Sequence, residues 1–424
     1  MSTGTAGPAT LVTPEVLIVG GGPAGLTAAR VLAGAHRRRV LVVERERQAG
    51  GIPRHCDHTG FGLRDLRRVL SGPSYAGRLV AAAEEAGAEI WDGATVTSWS
   101  AEHGAEVTTP RGLFTVRAGA TVLATGARER SRPARMIPGD RPEGIYTTGL
   151  LQNLVHLHHG RVGEQAVILG AELVSWSAAL TLRQAGCDVV AMVTAHERPE
   201  SYSALTALGR RALRFPVISG HRVVRIIGRD RLEAVELENA ATGRRRLQGC
   251  DTLVVTGDWV PDVELARSGG LDLDRVSRSP VVDSDLRTSV PGGFAAGNLI
   301  HPVDTADVAA LDGRHVARPV LRWLDDPGAW PSPEGARVVA RPPLRWISPG
   351  RVAAGAPPRS RHLSWVDRRI GVPVVTVTQD GRVLGRRRLM WPAAPGRVFR
   401  IPSDLFAAAS PAGGDVVVEV DGRP

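Results

Sequence analysis

Val16-Leu17-Ile18-Val19-Gly20-Gly21-Gly22-Pro23-Ala24-Gly25-Leu26-Thr27-Ala28-Ala29 is an apolar, β-branched run, then a glycine-rich turn, then a helix-forming segment. The glycines at 20, 22 and 25 satisfy G-x-G-x-x-G, and a place between a predicted strand and a predicted helix gives that motif its meaning. Gly20 permits a tight turn, Gly22 lets backbone approach a pyrophosphate, and Gly25 lets the helix pack closely on the strand. The helix offers its free N–H groups and positive dipole end to the anion. Residues 39–44, RVLVVE, read as the second strand and end on Glu44, 19 residues after Gly25. A carboxylate there is placed to accept hydrogen bonds from ribose hydroxyls. The competing reading is a glycine-rich turn followed by a surface glutamate.

Outward from this unit, residues 51–78 read as a glycine- and histidine-rich excursion, followed by a helix through LVAAAEEAG at 79–87. Strand-like pieces follow at 95–99, 114–119 and 121–126, and Pro and Gly punctuate 132–149 as a crossover. A second βαβ unit is predicted from QAVILG (165–170), LVSWSAALTLRQAG (173–186) and CDVVAMV (187–193), with a later strand at 251–257. GFAAG at 293–297 reads as a short strand and residues 304–324 as a helix. After a linker at 327–335, alternating pieces at 372–379, 381–391, 396–402 and 415–420 point to a small β-sandwich or barrel. The expected fold class is α/β: two Rossmann-like dinucleotide-binding domains, the second inserted in the first, plus a small C-terminal all-β domain. The expected boundaries are 14–160 and 285–325 for the first domain, 161–284 for the insert and 335–424 for the β domain.

The chain has 424 residues and a net charge of +10, and all 53 of its basic side chains are arginine. Residues 335–424 hold 15 Arg against 6 Asp or Glu, so nearly all the excess charge lies in the β domain. Such a domain leaves room for an electron-acceptor protein or partner subunit, but its arginines are scattered apart from Arg386-Arg387-Arg388, and an ordinary solvated surface is the favoured reading. No nucleic-acid module accompanies the arginines, so nucleic acid is not an expected partner. The three cysteines, at 56, 187 and 250, have no metal or redox spacing. The N-terminal residues lack a basic stretch followed by an apolar one, and Val16–Val19 is too short to span a membrane. A soluble, cytoplasmic protein without a membrane span is expected.

Three stretches together resemble the two-dinucleotide-binding-domain flavoproteins, the pyridine nucleotide–disulfide oxidoreductase superfamily. They are VLIVGGGPAGLTAA with VVER, the Thr121-Val122-Leu123-Ala124-Thr125-Gly126 "ATG" motif, and TSVPGGFAAGN from Thr288 to Asn298. The resemblance implies FAD in the first unit. Its site residues would be Gly20, Gly22, Pro23, Ala24, Gly25, Glu44, Arg45, Gly51, Ile52, Arg54, Val96, Ala124, Thr125, Gly126, Gly297, Asn298, Thr305 and Ala306. Asn298 stands where family proteins usually have Asp, and an amide still hydrogen-bonds a ribityl hydroxyl.

The second unit has Gly170-Ala171-Glu172-Leu173-Val174-Ser175 where that family binds NAD(P). Glu172 puts a carboxylate and bulk where only glycine admits a pyrophosphate, and Ser175 replaces the packing glycine. NAD(P) binding is therefore doubtful. The counter-reading enlists Thr194, His196 and Arg198 for a 2′-phosphate but leaves Glu172 unexplained.

Disulfide reductases of this superfamily need paired cysteines, which this chain lacks. The stretches QAGGIPRHCDHTGFGLRDL, GPSYAGRL, GARERSRPAR, TTGLLQNLVH and GAELVSWSAALTLRQAG look like the FAD subunits of bacterial amine and imino-acid dehydrogenases. That group includes hydrogen cyanide synthase, opine oxidase and hydroxyproline dehydrogenase. The resemblance places Arg54, His55 and His58 near the flavin as catalytic candidates, with either histidine as a base or as a structural hydrogen bonder. Cys56 between them reads as packing and no metal is expected. Arg128 and Arg130 are candidates for a substrate carboxylate, and Asp304 for a helix N-cap. His156, His158 and His159 read as linker. The leading expectation is an FAD-dependent dehydrogenase or oxidase acting on the C–N bond of a small amine or amino acid. The alternatives are an NAD(P)H-dependent flavoprotein reductase and an FAD-bearing, partner-dependent subunit.

Overall fold

Val16–Val19 is buried along its whole length and is the middle strand of a five-stranded parallel sheet. A strand covered on both faces reads as an unbroken apolar run, which is why this one does not alternate. The sheet order is Gly293–Ala295, Ala120–Leu123, Val16–Val19, Val40–Val43, Glu89–Trp91. The computed structural model describes residues 9–35, 38–102, 104–330, 335–353 and 361–423. The segment 1–8 and residues 331–334 of the expected linker lie outside them.

The helix Pro23–Gly34 starts with proline in its first turn, where the missing N–H costs nothing, and buries Ala24, Leu26, Ala28, Ala29 and Leu32. The helix Ala306–Asp325 crosses it so closely that a Cβ on Gly313 would lie 2.0 Å from the Ala24 carbonyl oxygen. A second five-stranded parallel sheet runs Ile145–Thr147, Thr252–Val255, Gln165–Leu169, Asp188–Val193, Val217–Ile218. The two sheets are bridged by an antiparallel ribbon, Ala127–Glu129 against Trp259–Pro261. The tail builds a four-stranded and a three-stranded sheet on one core that includes Val366, Val375, Val377, Phe399, Ile401, Val416 and Val418.

Two local expectations need correction, and one strand is new. The helix read from residue 79 starts at Gly72, inside the supposed excursion, because Ser71 caps it and Pro73 opens its first turn. Thr10–Val12 is a strand, paired in parallel with Gly112–Val116. His156 is not in a linker: it lies in the π-helical turn Asn153–Leu157 and its ring meets Thr181 Oγ1 at 3.3 Å. Among the described residues no helix is long and apolar enough to cross a membrane.

Candidate functional site

The first turn gathers three of the sequence motifs around one helix N-terminus. Gly20 has φ +108°, and a Cβ there would lie 2.5 Å from the Ala124 carbonyl oxygen, so it is pressed against the start of the Ala124-Thr125-Gly126 segment. A Cβ on Gly25 would fall 1.9 Å from the Gly20 carbonyl oxygen. A Cβ on Gly22, by contrast, would meet only the Gly51 Cα at 4.0 Å, leaving room above the helix N-terminus. Gly50 N–H donates to the Gly21 carbonyl at 2.7 Å and fastens the 50–52 turn beside it. A Cβ on Gly297 would lie 2.7 Å from Ala24 Cβ, which brings the third motif to the same helix.

The buried Glu44 carboxylate accepts from Gly21 N–H at 2.7 Å and from Glu46 N–H at 2.8 Å. Burial pushes it above the usual carboxylate range, against the pull of those two N–H groups. Each oxygen keeps a lone pair for a further donor. Arg45 reaches Asp262 at 3.3 Å and is largely exposed, while the Thr125 hydroxyl donates to the Asp262 carbonyl at 2.7 Å. Arg54 lies 3.7 Å from Glu46, and Ile52 is exposed beside it. Val96 pairs with Val107 in an antiparallel meander and packs against the core of the first unit.

At the other end, Asn298 Nδ2 donates to the Asp304 carbonyl at 2.9 Å. The N-cap of the last long helix is Thr305, not Asp304, whose carboxylate instead receives Arg400 of the β domain at 2.9 Å. Ala306 opens that helix. Beneath the turn, fully buried His301 pairs with Asp312, which also accepts Gly297 N–H at 3.2 Å. Arg128 and Arg130 are not free for a substrate carboxylate: they pair near the surface with Glu264 at 3.2 Å and Asp258 at 3.6 Å.

His55, Cys56 and His58 meet a partner that the sequence did not single out. Gln152 Oε1 accepts from Cys56 Sγ at 3.1 Å, and Gln152 Nε2 donates to Ser177 Oγ at 2.7 Å. Ser177 Oγ lies 2.6 Å from His58 Nε2, while His58 Nδ1 lies 3.0 Å from the Thr59 carbonyl. A carbonyl only accepts, so Nδ1 carries the proton and Nε2 takes the serine proton. Burial, then the neighbouring Arg54, drives His55 down to about 4, so it is neutral at pH 7 and a weak proton acceptor. Burial pushes the Cys56 thiol up to about 12, which suits packing and not nucleophilic attack. Among the described residues no group of three or more His, Cys, Asp or Glu side chains forms a metal site.

In the second unit, Glu172 is the N-cap of helix Leu173–Gln184 and forms a capping box with Ser175. Glu172 N–H donates to Ser175 Oγ at 3.1 Å, and Ser175 Oγ is 2.6 Å from Thr256 Oγ1. The carboxyl lies over Gly257, where a Cβ would fall 1.4 Å from Oε1. The residue as a whole is half-buried, but desolvation of its carboxyl, followed by Glu200 and Glu129, pushes it up to about 8. Buried Thr194 donates its hydroxyl to Glu200 at 3.0 Å, so it is already engaged.

This pair of turns, one open above its glycines and one closed by its own side chain, can be set beside known proteins. Residues 14–313 match the family described as pyridine nucleotide-disulphide oxidoreductase. The chain belongs to that family. Membership implies FAD, and the room above Gly22, beside Glu44 and the helix N-terminus, fits such a cofactor. An opine oxidase subunit of Rhizobium meliloti is 28% identical over 344 residues, covering 72% of this chain and 62% of the relative. The chain thus spans less than two thirds of the opine oxidase subunits that it matches. Thioredoxin reductase of Treponema pallidum (strain Nichols) is 27% identical over 328 residues, covering 73% of this chain and 97% of the relative. The structure of Lactococcus lactis thioredoxin reductase aligns with a TM-score of 0.62 at 19% identity, over 74% of this chain and 99% of that one. That last likeness is one of fold.

Proposed function

We propose that the chain is an FAD-dependent oxidoreductase that oxidises the C–N bond of an amino acid, imino acid or secondary amine. The observation that carries this reading is Glu172. Its carboxyl caps the helix whose N-terminus would otherwise receive the pyrophosphate of NAD(P), and it fills the space over Gly257. A pyrophosphate there meets a side chain already in place. With that entry disfavoured, the electrons come from an organic substrate. The likeness to the opine oxidase subunit of Rhizobium meliloti supports the same direction.

In this reading the turn residues Gly20 to Gly25, Glu44, Gly51, Ala124 to Gly126, Gly297 and Asn298 hold FAD. When bound, FAD would supply the acceptor for a hydride from the carbon next to nitrogen. The nitrogen loses a proton and a C=N bond forms. The chain's own part is to keep that amine neutral and in place. Through the Ser177 hydroxyl bonded to its Nε2, His58 is the candidate final acceptor of the amine proton. Neutral His55 and Arg54 orient the substrate.

A second reading, an NAD(P)H-dependent reductase, is favoured by the match that spans nearly all of a thioredoxin reductase. One experiment separates the two. FAD-loaded protein is mixed anaerobically with a panel of amino acids, imino acids and N-methyl amines, and separately with NADH and NADPH, and flavin absorbance is followed. Bleaching by a member of the panel supports the proposal. Rapid bleaching by NAD(P)H alone overturns it. A third outcome, reduction by none of them until a second polypeptide is supplied, identifies a partner-dependent subunit.

A further inference from the structure

Asp304 and Arg400 are 96 residues apart and come from different layers of the molecule. Arg400 belongs to the strand Phe399–Pro402 of the β domain. Its Nη2 donates to Asp304 Oδ1 at 2.9 Å and Oδ2 at 3.2 Å. Only 2% of the Asp304 side chain and 17% of the Arg400 side chain are exposed. Arg64 brings a second guanidinium to 4.0 Å from the same carboxylate. Trp346 and Leu363 of the β domain pack with Val303 and Val308 and close the seam around the pair. Asp304 is tied on one side to Asn298 through its carbonyl and on the other to Thr305 N–H at 2.8 Å.

A buried ion pair is often no more stabilising than an apolar pair of the same shape, so stability alone is a weak reason for this one. Its position gives a stronger reason. The carboxylate stands one residue before the N-cap of Ala306–Asp325, the helix end that favours negative charge. An uncompensated Asp304 would cancel that preference.

We infer that the β domain completes the electrostatics of the flavin site, with Arg400 as a positioning residue that holds Asp304 neutralised at this helix end and so eases flavin reduction. The inference rests on the proposed placement of FAD in the first unit, with the Gly297–Asn298 motif closing over it. Reduction adds negative charge to the flavin ring. Removing Arg400 leaves a buried anion beside it, countered only by the more distant and more exposed Arg64, and disfavours reduction. Removing the charge of Asp304 leaves the cation and favours it. Opposite signs from the two partners of one ion pair are not expected of a merely structural contact.

The test uses the full FAD-loaded chain, reduced slowly in the presence of a redox dye, with the reduced-to-oxidised flavin ratio read by absorbance at fixed dye poise. Arg400→Ala should lower the ratio about tenfold, ~30 mV for a two-electron couple. Asp304→Asn should raise it by a similar factor, and the double variant should return close to the parent. Arg400→Lys keeps the charge and should stay near the parent even if it melts earlier. Shifts of the same sign in both single variants, or no shift in either, overturn the inference. If Arg400→Ala does not fold, the rise in Asp304→Asn and its absence in Arg400→Lys still decide it. If the parent chain takes up no FAD at all, the placement of the cofactor falls as well; unmoved ratios in FAD-loaded protein sink only the role of Arg400.

Discussion

The Glu172 carboxyl covers Gly257, so the second unit fills with its own side chain the helix N-terminus where its fold class receives a dinucleotide. Because burial lifts this carboxyl to about 8, the folded chain binds a proton there that the unfolded chain releases near 4.5. The stability it contributes is complete below pH 4.5 and fades as pH rises towards 8. Glu172→Gln should remove most of that decline and gain on the order of 1–3 kcal/mol at pH 8 relative to the parent. Urea unfolding at pH 5, 6.5 and 8 measures it. An unchanged pH slope in the variant would count against a buried, protonated Glu172.

The first turn should tolerate no side chain at Gly25. A Cβ there would sit 1.9 Å from the Gly20 carbonyl oxygen, which is backbone and cannot swing aside. Gly25→Ala should cost about 3 kcal/mol or more and abolish retention of the 450 nm flavin band through gel filtration. Gly22→Ala meets nothing nearer than 4.0 Å and should fold nearly as well as the parent while losing FAD. Retention of flavin by Gly22→Ala would show that the open space there is not used.

His58 depends on Ser177. Ser177→Ala removes the donor to His58 Nε2 and leaves Gln152 Nε2 without its acceptor. A loss of about 1 kcal/mol in stability is expected. The pH dependence of flavin reduction by the organic substrate should shift more than the rate at its optimum, because the ring loses its orienting bond. Ser177→Thr, which keeps the hydroxyl, should restore the profile.

All three thiols should be silent in the folded protein. Cys56, Cys187 and Cys250 are buried and each is pushed up to about 12, chiefly by desolvation. Titration with a thiol-reactive chromophore at pH 8 should count close to zero in native protein and three in urea. Fast labelling of Cys56 in native protein would reopen a nucleophilic role for it.

What is legible in the sequence is local. The strand–glycine–helix order at 16–34 and the acid at Glu44 sit within one βαβ unit, where spacing dictates geometry. Glu172 is legible as a wrong residue, but not as a cap, because its reciprocal bonds with Ser175 resemble any polar pair on a helix. The helix start at Gly72 is hidden because Ser-Gly-Pro reads equally as a turn and as a capped helix entry. The long-range contacts leave no trace. His58 finds Ser177 across 119 positions and Asp304 finds Arg400 across 96, and no periodicity in the chain predicts either. Arg400 is, to sequence reading, one of many arginines in a basic tail.

The position of Gly293–Ala295 at one edge of the first sheet sets an order of events during synthesis. It pairs with Ala120–Leu123, which leaves the ribosome about 170 residues earlier. Until then, that earlier strand presents an open edge, the kind of template that invites wrong pairing. The second sheet, by contrast, draws every strand from residues 145–255 and can assemble as soon as they emerge. The inserted unit is therefore finished while its host is still incomplete, and the nascent chain needs shelter for one exposed strand over that interval.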